Sequence, residues 1–218
     1  VIRAEFLTGG PTTGQRPEAL FTHIPGLRVV IPSTPRDAYS LMLGALERPG
    51  VTMYFEDRMV EDNGVFQPED FSIDHLPDDG SAIIRRVGQR GTATIVTYGV
   101  MRQRVEEILA PWGKGDPYRQ PNLDCGLIDL RYIYPIDWEC LRYEMKRASS
   151  LLIVEPDITY GGVGAEIAAH FAEERPGIHI KRLGGKRVTM PASPGLHHLV
   201  LPSDEEIIAA IRSLTDWQ

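Results

Sequence analysis

The sequence predicts an α/β protein with three-layer, parallel sheets covered by helices on both faces. Two observations carry this. Short β-branched runs alternate with longer amphipathic stretches along almost the whole chain, the pattern of strand–helix–strand units. One of these runs, Ala93-Thr94-Ile95-Val96-Thr97-Tyr98, is nearly continuous and β-branched, as a strand buried on both sides should be. Composition agrees. The 218 residues are 42% apolar and 24% charged with a net charge of −7. Such values exclude disordered, collagenous and coiled-coil classes. No run of about 18 apolar residues is present to cross a bilayer as a helix.

Taken in order, Val1–Phe6 reads as a short strand, followed by the Gly-, Pro- and Thr-rich loop from Thr8 to Gln15. Pro17–His23 reads as a short helix closed by Pro25-Gly26, and Leu27–Ile31 as the next strand. Thr34-Pro35-Arg36-Asp37 opens a helix: Thr34 is the N-cap, Pro35 takes the first helical position and Asp37 turns back toward the cap. Pro49-Gly50 ends that helix, and Val51–Glu56 is a strand. Later, Ala82–Val87 and Thr92–Tyr98 are expected to pair as a hairpin across Gly88–Gly91. Gly99 turns into a helix over 100–110, Pro111–Asn122 is a surface loop, and Cys125–Leu130 is a strand. Asp137 caps a helix over 138–147, and Ser150–Glu155 is a strand. Gly161-Gly162-Val163-Gly164 leads into a helix over 165–174, and Ile178–Leu183 is a strand. Ser203-Asp204-Glu205-Glu206 forms a capping box for a last helix to about Leu214.

Charge divides the chain. Residues 1–80 hold 6 basic and 13 acidic side chains, the remainder 17 of each. Eight of those acids lie between Asp57 and Asp79, with Arg58 the single base. The reading is an acidic linker over 57–80 between a first piece, 1–56, and a second, 81–218. Three strands in 56 residues are too few to close a core, so the first piece must lean on other residues or a partner. The chain opens at Val1 inside a strand, which suggests that an earlier part is missing. Val1–Phe6 has no basic start and no long apolar run of a secretory leader, so a cytoplasmic setting is expected. Cys125 and Cys140 are too few for a disulfide framework and are expected to be free thiols. No basic run with interleaved aromatics occurs, so nucleic acid is not an expected partner; nor is a membrane.

Local motifs do not assemble a catalytic set. Gly161–Glu166 lies between a strand and a helix but matches neither phosphate-binding glycine spacing, so tight packing is favoured over nucleotide binding. Glu166 reads as a first-turn partner of the helix dipole. His197-His198 lacks a third metal ligand, and no metal site is assigned. No nucleophile is identified. The loop Thr8–Gln15 is the best cleft candidate, because it follows a strand on the side where open α/β sheets take ligands.

Four strings, in order, carry a resemblance: Pro17–Ala38, Thr94–Gly99, Ile128–Arg131 with Pro135–Asp137, and Gly161–Ile167. The chain resembles the beta chain of thiamine-diphosphate-dependent 2-oxo-acid dehydrogenases, in the transketolase-like superfamily. The resemblance covers the end of a pyrimidine-binding domain (1–56), the linker (57–80) and a transketolase C-terminal-like domain (81–218). It implies oxidative decarboxylation of a 2-oxo acid and acyl transfer to a lipoyl group. It also implies an alpha subunit that holds the diphosphate and Mg²⁺, a second beta chain, and a lipoyl-bearing acyltransferase core. The glutamate that bonds the pyrimidine ring falls before Val1, so this chain alone is expected to bind neither thiamine diphosphate nor Mg²⁺ and to be inactive.

The family's loop commonly reads His-Ser-Gln, where this chain has Thr13-Gly14-Gln15. Thr13 and Gln15 are therefore the substrate-cleft residues, and no catalytic residue is identified in this chain. Lys114–Asn122 is longer than the corresponding family loop, and Arg48 stands where some members place an acid near a monovalent-cation site, which is not carried over. Two alternatives remain: the tail of a single-chain transketolase or deoxyxylulose-phosphate synthase, and a non-catalytic assembly module on the same fold.

Overall fold

The computed structural model pairs nine short strands, among the described residues, into two sheets. It describes residues 1–6, 9–58, 60, 84–87, 91–109 and 125–215. The first sheet holds β1 (Ile2–Phe6), β2 (Leu27–Val30), β3 (Val51–Asp57) and β7 (Tyr132–Tyr134), in the order β1-β3-β2-β7. The second holds β4 (Ile84–Val87), β5 (Ala93–Thr97), β6 (Cys125–Leu130), β8 (Ser150–Ile158) and β9 (His179–Gly185), in the order β4-β6-β5-β8-β9. All pairs are parallel except β2–β7 and β4–β6, which put an antiparallel strand on one edge of each sheet.

The expected hairpin does not form. β4 pairs with β6, Ile84 opposite Leu130 and Val87 opposite Leu127, while β5 lies on the far side of β6. A central β5 needs parallel neighbours on both edges, and β6 and β8 occupy them. That leaves β4 the outer edge of the sheet. Asp57, placed at the start of the linker by its charge, is instead the buried last residue of β3. Residues 61–80 of the linker, the turn 88–90 and the loop 114–122 lie outside the described residues.

Helices form where the caps predict. In α2 (Pro35–Glu47) the Thr34 hydroxyl accepts the Asp37 N–H at 3.1 Å and donates to the Asp37 carboxylate at 2.6 Å. Asp137 accepts the Cys140 N–H at 2.9 Å and opens α4 (Trp138–Glu144). Ser203 and Glu206 exchange reciprocal bonds of 2.8 and 3.2 Å ahead of α6 (Asp204–Thr215), the capping box in full. The remaining helices are α1 (Glu18–Phe21), α3 (Val100–Leu109) and α5 (Val163–Glu174).

The core has three parts. Helices α3 and α6 cover one face of the second sheet, where Met101, Val105, Ile207 and Ile211 meet Ile95, Leu127 and Leu152. Its other face is continuous with the first sheet: Val96, Ile128 and Ile153 share one cluster with Val29, Ile31, Met53 and Phe55, and with Phe171 of α5. Among the described residues, the cluster on the far face of the first sheet has Val30, Leu41, Tyr54 and Tyr132 as its buried members.

Polar ties reinforce the junction. Ser33 donates to Asp129 at 2.6 Å and accepts the Gly99 N–H at 3.0 Å. Arg131 pairs with Asp37 at 3.1 Å and donates to Ser40 at 2.8 Å. All of these side chains are buried, so they hold the sheets in one register rather than merely in contact. Cys125 and Cys140 are free thiols. No described helix is long and apolar enough to cross a membrane.

Candidate functional site at the carboxyl ends of the strands

Strand order locates the cleft. From β5 the chain moves to β6 on one side, then returns to β8 on the other. The order reverses between β5 and β8, and ligands of open α/β sheets bind outside the carboxyl ends at such a reversal. Tyr98 follows β5 there, and Glu155 and Asp157 lie near the end of β8. The pairing of β8 with β9 shifts between Val154 and Ile158. Pro156, with no N–H to give a ladder, sits in that irregular stretch and is tolerated there.

The crevice is filled from the first region. Arg16 ends the candidate loop, stacks over Phe6 at 4.7 Å and pairs with the Asp57 carboxylate. Phe6 in turn lies flat on Phe55 at 5.1 Å. Two residues on, Glu18 opens α1 and is completely buried. Neither Glu18 carboxyl oxygen meets a hydrogen-bond partner from another described residue, and the Tyr98 hydroxyl and Glu155 Oε1 are likewise unmatched. Burial pushes the Glu18 carboxyl up to about 8; Arg16 opposes this and Asp157 adds to it. Burial raises Glu155 to about 7, against the bond from the Gly164 N–H and with a push from Asp157. Asp157 rises to about 6 for the same leading reason, opposed by the Ile158 N–H and Arg16. Burial also drives the Tyr98 hydroxyl well above its ordinary value, helped by Glu18, Glu155 and Asp157.

Thr13 and Gln15 lie elsewhere on the same loop. Both are exposed, and the Thr13 hydroxyl donates back to the Gly9 carbonyl at 3.0 Å. The loop rests on the segment after β9: the Gly10 N–H donates to the Pro191 carbonyl at 3.1 Å. Gly14 is buried against Met190, where a Cβ would come within 2.7 Å of Cγ. His197 contacts Pro191 O at 3.0 Å through Nε2 and packs beside Gly9. His197 is thus a brace between two loops, and no cluster of three or more metal-ligating side chains occurs among the described residues.

The Gly161–Gly164 turn is a packing device. The Gly164 N–H donates to Glu155 Oε2 at 3.0 Å, so the protein's own carboxylate takes the place a phosphate would need at the start of α5. Cβ atoms on Gly162 or Gly164 would come within 2.6 to 2.7 Å of the Glu155 carboxylate. Glu166 is exposed in the first turn, as expected of a dipole partner.

Sequence reasoning missed the buried group Arg16, Glu18, Asp57, Tyr98, Glu155 and Asp157. One signal was present: Glu155-Pro156-Asp157 ends a strand and precedes a glycine-rich turn, where open sheets place polar groups. Nothing local marks Glu18 as buried, because the residues that cover it come from β3, β5 and β8.

The described residues do not fit a diphosphate–Mg²⁺ site. The Gly164 amide is already bonded to Glu155, Arg16 holds Asp57 through Nη2, and the Glu18 carboxylate is sealed from solvent.

Comparison with known proteins agrees with the fold. Residues 81–207 match the family model described as transketolase, C-terminal domain. Over 199 residues the chain is 29% identical to the pyruvate dehydrogenase E1 component subunit beta of Rickettsia felis, covering 90% of this chain and 58% of that protein. It is 30% identical over 213 residues to the mitochondrial 2-oxoisovalerate dehydrogenase subunit beta 2 of Arabidopsis thaliana, covering 96% and 56%. The chain therefore spans less than two thirds of the length of these relatives. A solved structure described as a split gene transketolase, inactive beta4 tetramer, superposes with a TM-score of 0.74 at 22% identity, over 99% of this chain and 66% of that one. The crossover order, the glycine turn sealed by Glu155 and the match over 81–207 converge: the chain belongs to the transketolase C-terminal domain family.

Proposed function

We propose that this chain is the beta-subunit portion of a thiamine-diphosphate-dependent 2-oxo-acid dehydrogenase that acts with an alpha subunit. The supporting observation is the likeness to E1 beta subunits over 90% and 96% of this chain, rather than over residues 81–207 alone. The chain's own contribution is architectural. Arg16 and Asp57 anchor one end of the cleft loop, and the segment 190–197 braces the other. The diphosphate and Mg²⁺ are assigned to the partner, as the resemblance implies. Thiamine diphosphate supplies the carbanion chemistry when bound; this chain places a loop beside it and excludes water. A second beta chain and a lipoyl-bearing acyltransferase core complete the proposed assembly.

Co-expression with the alpha chain and dye reduction with pyruvate and branched-chain 2-oxo acids test this. Turnover is expected with both chains and with neither alone. Turnover by this chain alone, or none with the alpha chain bound, overturns it.

One observation favours a second reading, a non-catalytic assembly module: the residue at the family's histidine position is Thr13, with its hydroxyl turned back onto Gly9. Thr13→His in the two-chain assembly separates the readings. Acyl transfer to lipoamide rises in a dehydrogenase whose loop faces substrate and stays at background in an assembly module.

A further inference from the structure

The crevice at the β5/β8 reversal holds four carboxyl groups, Glu18, Asp57, Glu155 and Asp157, and one guanidinium, Arg16. Glu18, Asp57 and Glu155 are almost completely hidden, and Asp157 is 7% exposed. Fully ionised, the group would carry three uncompensated negative charges in a place with little solvent. Burying unpaired carboxylates costs far more than retaining a proton on one of them. Geometry selects which. Asp57 has the Arg16 ion pair, Asp157 accepts the Ile158 N–H at 2.6 Å, and Glu155 accepts the Gly164 N–H. Glu18 has no bond from another described residue to either oxygen.

Glu18 also lies where its charge state has mechanical leverage. It is two residues from Arg16, which anchors the loop 9–15, and it faces Tyr98 and Asp157 from the second sheet. We propose that Glu18 is a protonated latch: its neutral carboxyl leaves Arg16 on Asp57 and lets the two sheets close on one another at the crevice, and its ionisation draws Arg16 off Asp57 and frees the cleft loop.

Each element around the latch contributes a charged or titratable group. Before α1 stands Arg16, β3 supplies Asp57, the end of β5 supplies Tyr98, and β8 supplies Asp157 and Glu155. Arg182 of β9 acts on Glu155 from behind. Tyr98 stays neutral because burial raises it further. Of these, Asp157, Glu155 and Glu18 are raised to about 6, 7 and 8, so Glu18 is the last of the three to lose its proton. Below pH 4.5 Glu18 is protonated in folded and unfolded chains alike. Above it the unfolded chain ionises first, so stability falls as pH rises and levels off beyond about 8.

The latch rests on the proposed function only for what the loop covers, and its readouts need neither cofactor nor partner, so the two can fail separately. A nitroxide is placed at Gln15→Cys in the full-length protein, with Cys125 and Cys140 replaced by serine. Its mobility is followed by electron paramagnetic resonance from below pH 4.5 to above 8, beside infrared difference spectra of protonated carboxyl groups. In the parent, the expected result is a step to a mobile probe as pH passes about 8, with a protonated carboxyl band at neutral pH. Glu18→Gln, a neutral isostere, removes the step and the part of that band that is lost as pH passes about 8; Glu155→Gln retains both. No protonated carboxyl at neutral pH overturns the latch even if Glu18→Gln fails to fold. So does a step that survives Glu18→Gln, or one abolished by Glu155→Gln alone.

Discussion

The two sheets differ in how much core each owns. The second sheet has helices on both faces, and nine buried residues form a cluster under α3 and α6 alone. Among the described residues the first sheet has four such residues on its outer face, under α2, and its other face is shared with the second sheet. Apolar burial stabilises by roughly 25 cal/mol per Å², so a sheet with a private core of four side chains depends on its neighbour. Autonomy is therefore set by how many apolar faces a sheet covers with its own helices, not by its number of strands.

Arg131→Ala strikes this dependence hardest. It breaks the buried ion pair to Asp37 and removes the bond to Ser40, which should cost about 3–5 kcal/mol by chemical denaturation. A loss below about 1 kcal/mol would mean that the sheets do not rely on this tie. Next is Leu41→Ala, which hollows the first sheet's small private core and should cost about 2–5 kcal/mol. Hydrogen exchange should rise across 27–57 while β5 and β8 stay protected; uniform loss of protection would show that the two sheets melt as one unit.

Gly164→Ala probes the second sheet at its tightest point. The new methyl meets Glu155 at 2.7 Å and Ile153 at 2.8 Å, so overpacking of about 1–3 kcal/mol is expected, with β8 and α5 most affected. The smallest effect belongs to Thr34→Ala, about 1 kcal/mol for a lost N-cap. Its exchange signature should stay within α2, which would mark the helix as a local unit even though the sheet beneath it is not.

These variants also separate what the sequence could announce from what it could not. The Thr34 cap, the Asp137 cap and the Ser203–Glu206 box are complete within four residues, so local pattern was sufficient. Strand β5 was evident from its own β-branched run. Strand β7 was missed: Tyr132-Ile133-Tyr134 is three residues long, and its partner β2 lies about a hundred positions away. The hairpin error has the same origin, since no local feature of Ala82–Val87 says that β6 rather than β5 is its neighbour. At the site, Thr13 and Gln15 follow from the resemblance to the family's His-Ser-Gln triplet, and both are exposed. Glu18 falls inside the expected short helix Pro17–His23 with nothing local to mark its burial, and the acidic groups that act on it, Asp57 and Asp157, come from distant strands.

The β2–β7 pairing has a consequence for how the chain is made. Val30 lies opposite Tyr132 and Val29 opposite Tyr134. On the ribosome, β1, β2 and β3 emerge early, yet one edge of β2 stays open until residue 134 has cleared the exit tunnel. An unpaired strand edge beside buried valines is a template for wrong partners. The first sheet therefore cannot mature as an early, independent folding unit. Its completion waits on a distant segment, and such long-range closure is slow. Synthesis paused between β3 and β7 should yield a chain that chaperones hold, and release should come only when β7 docks.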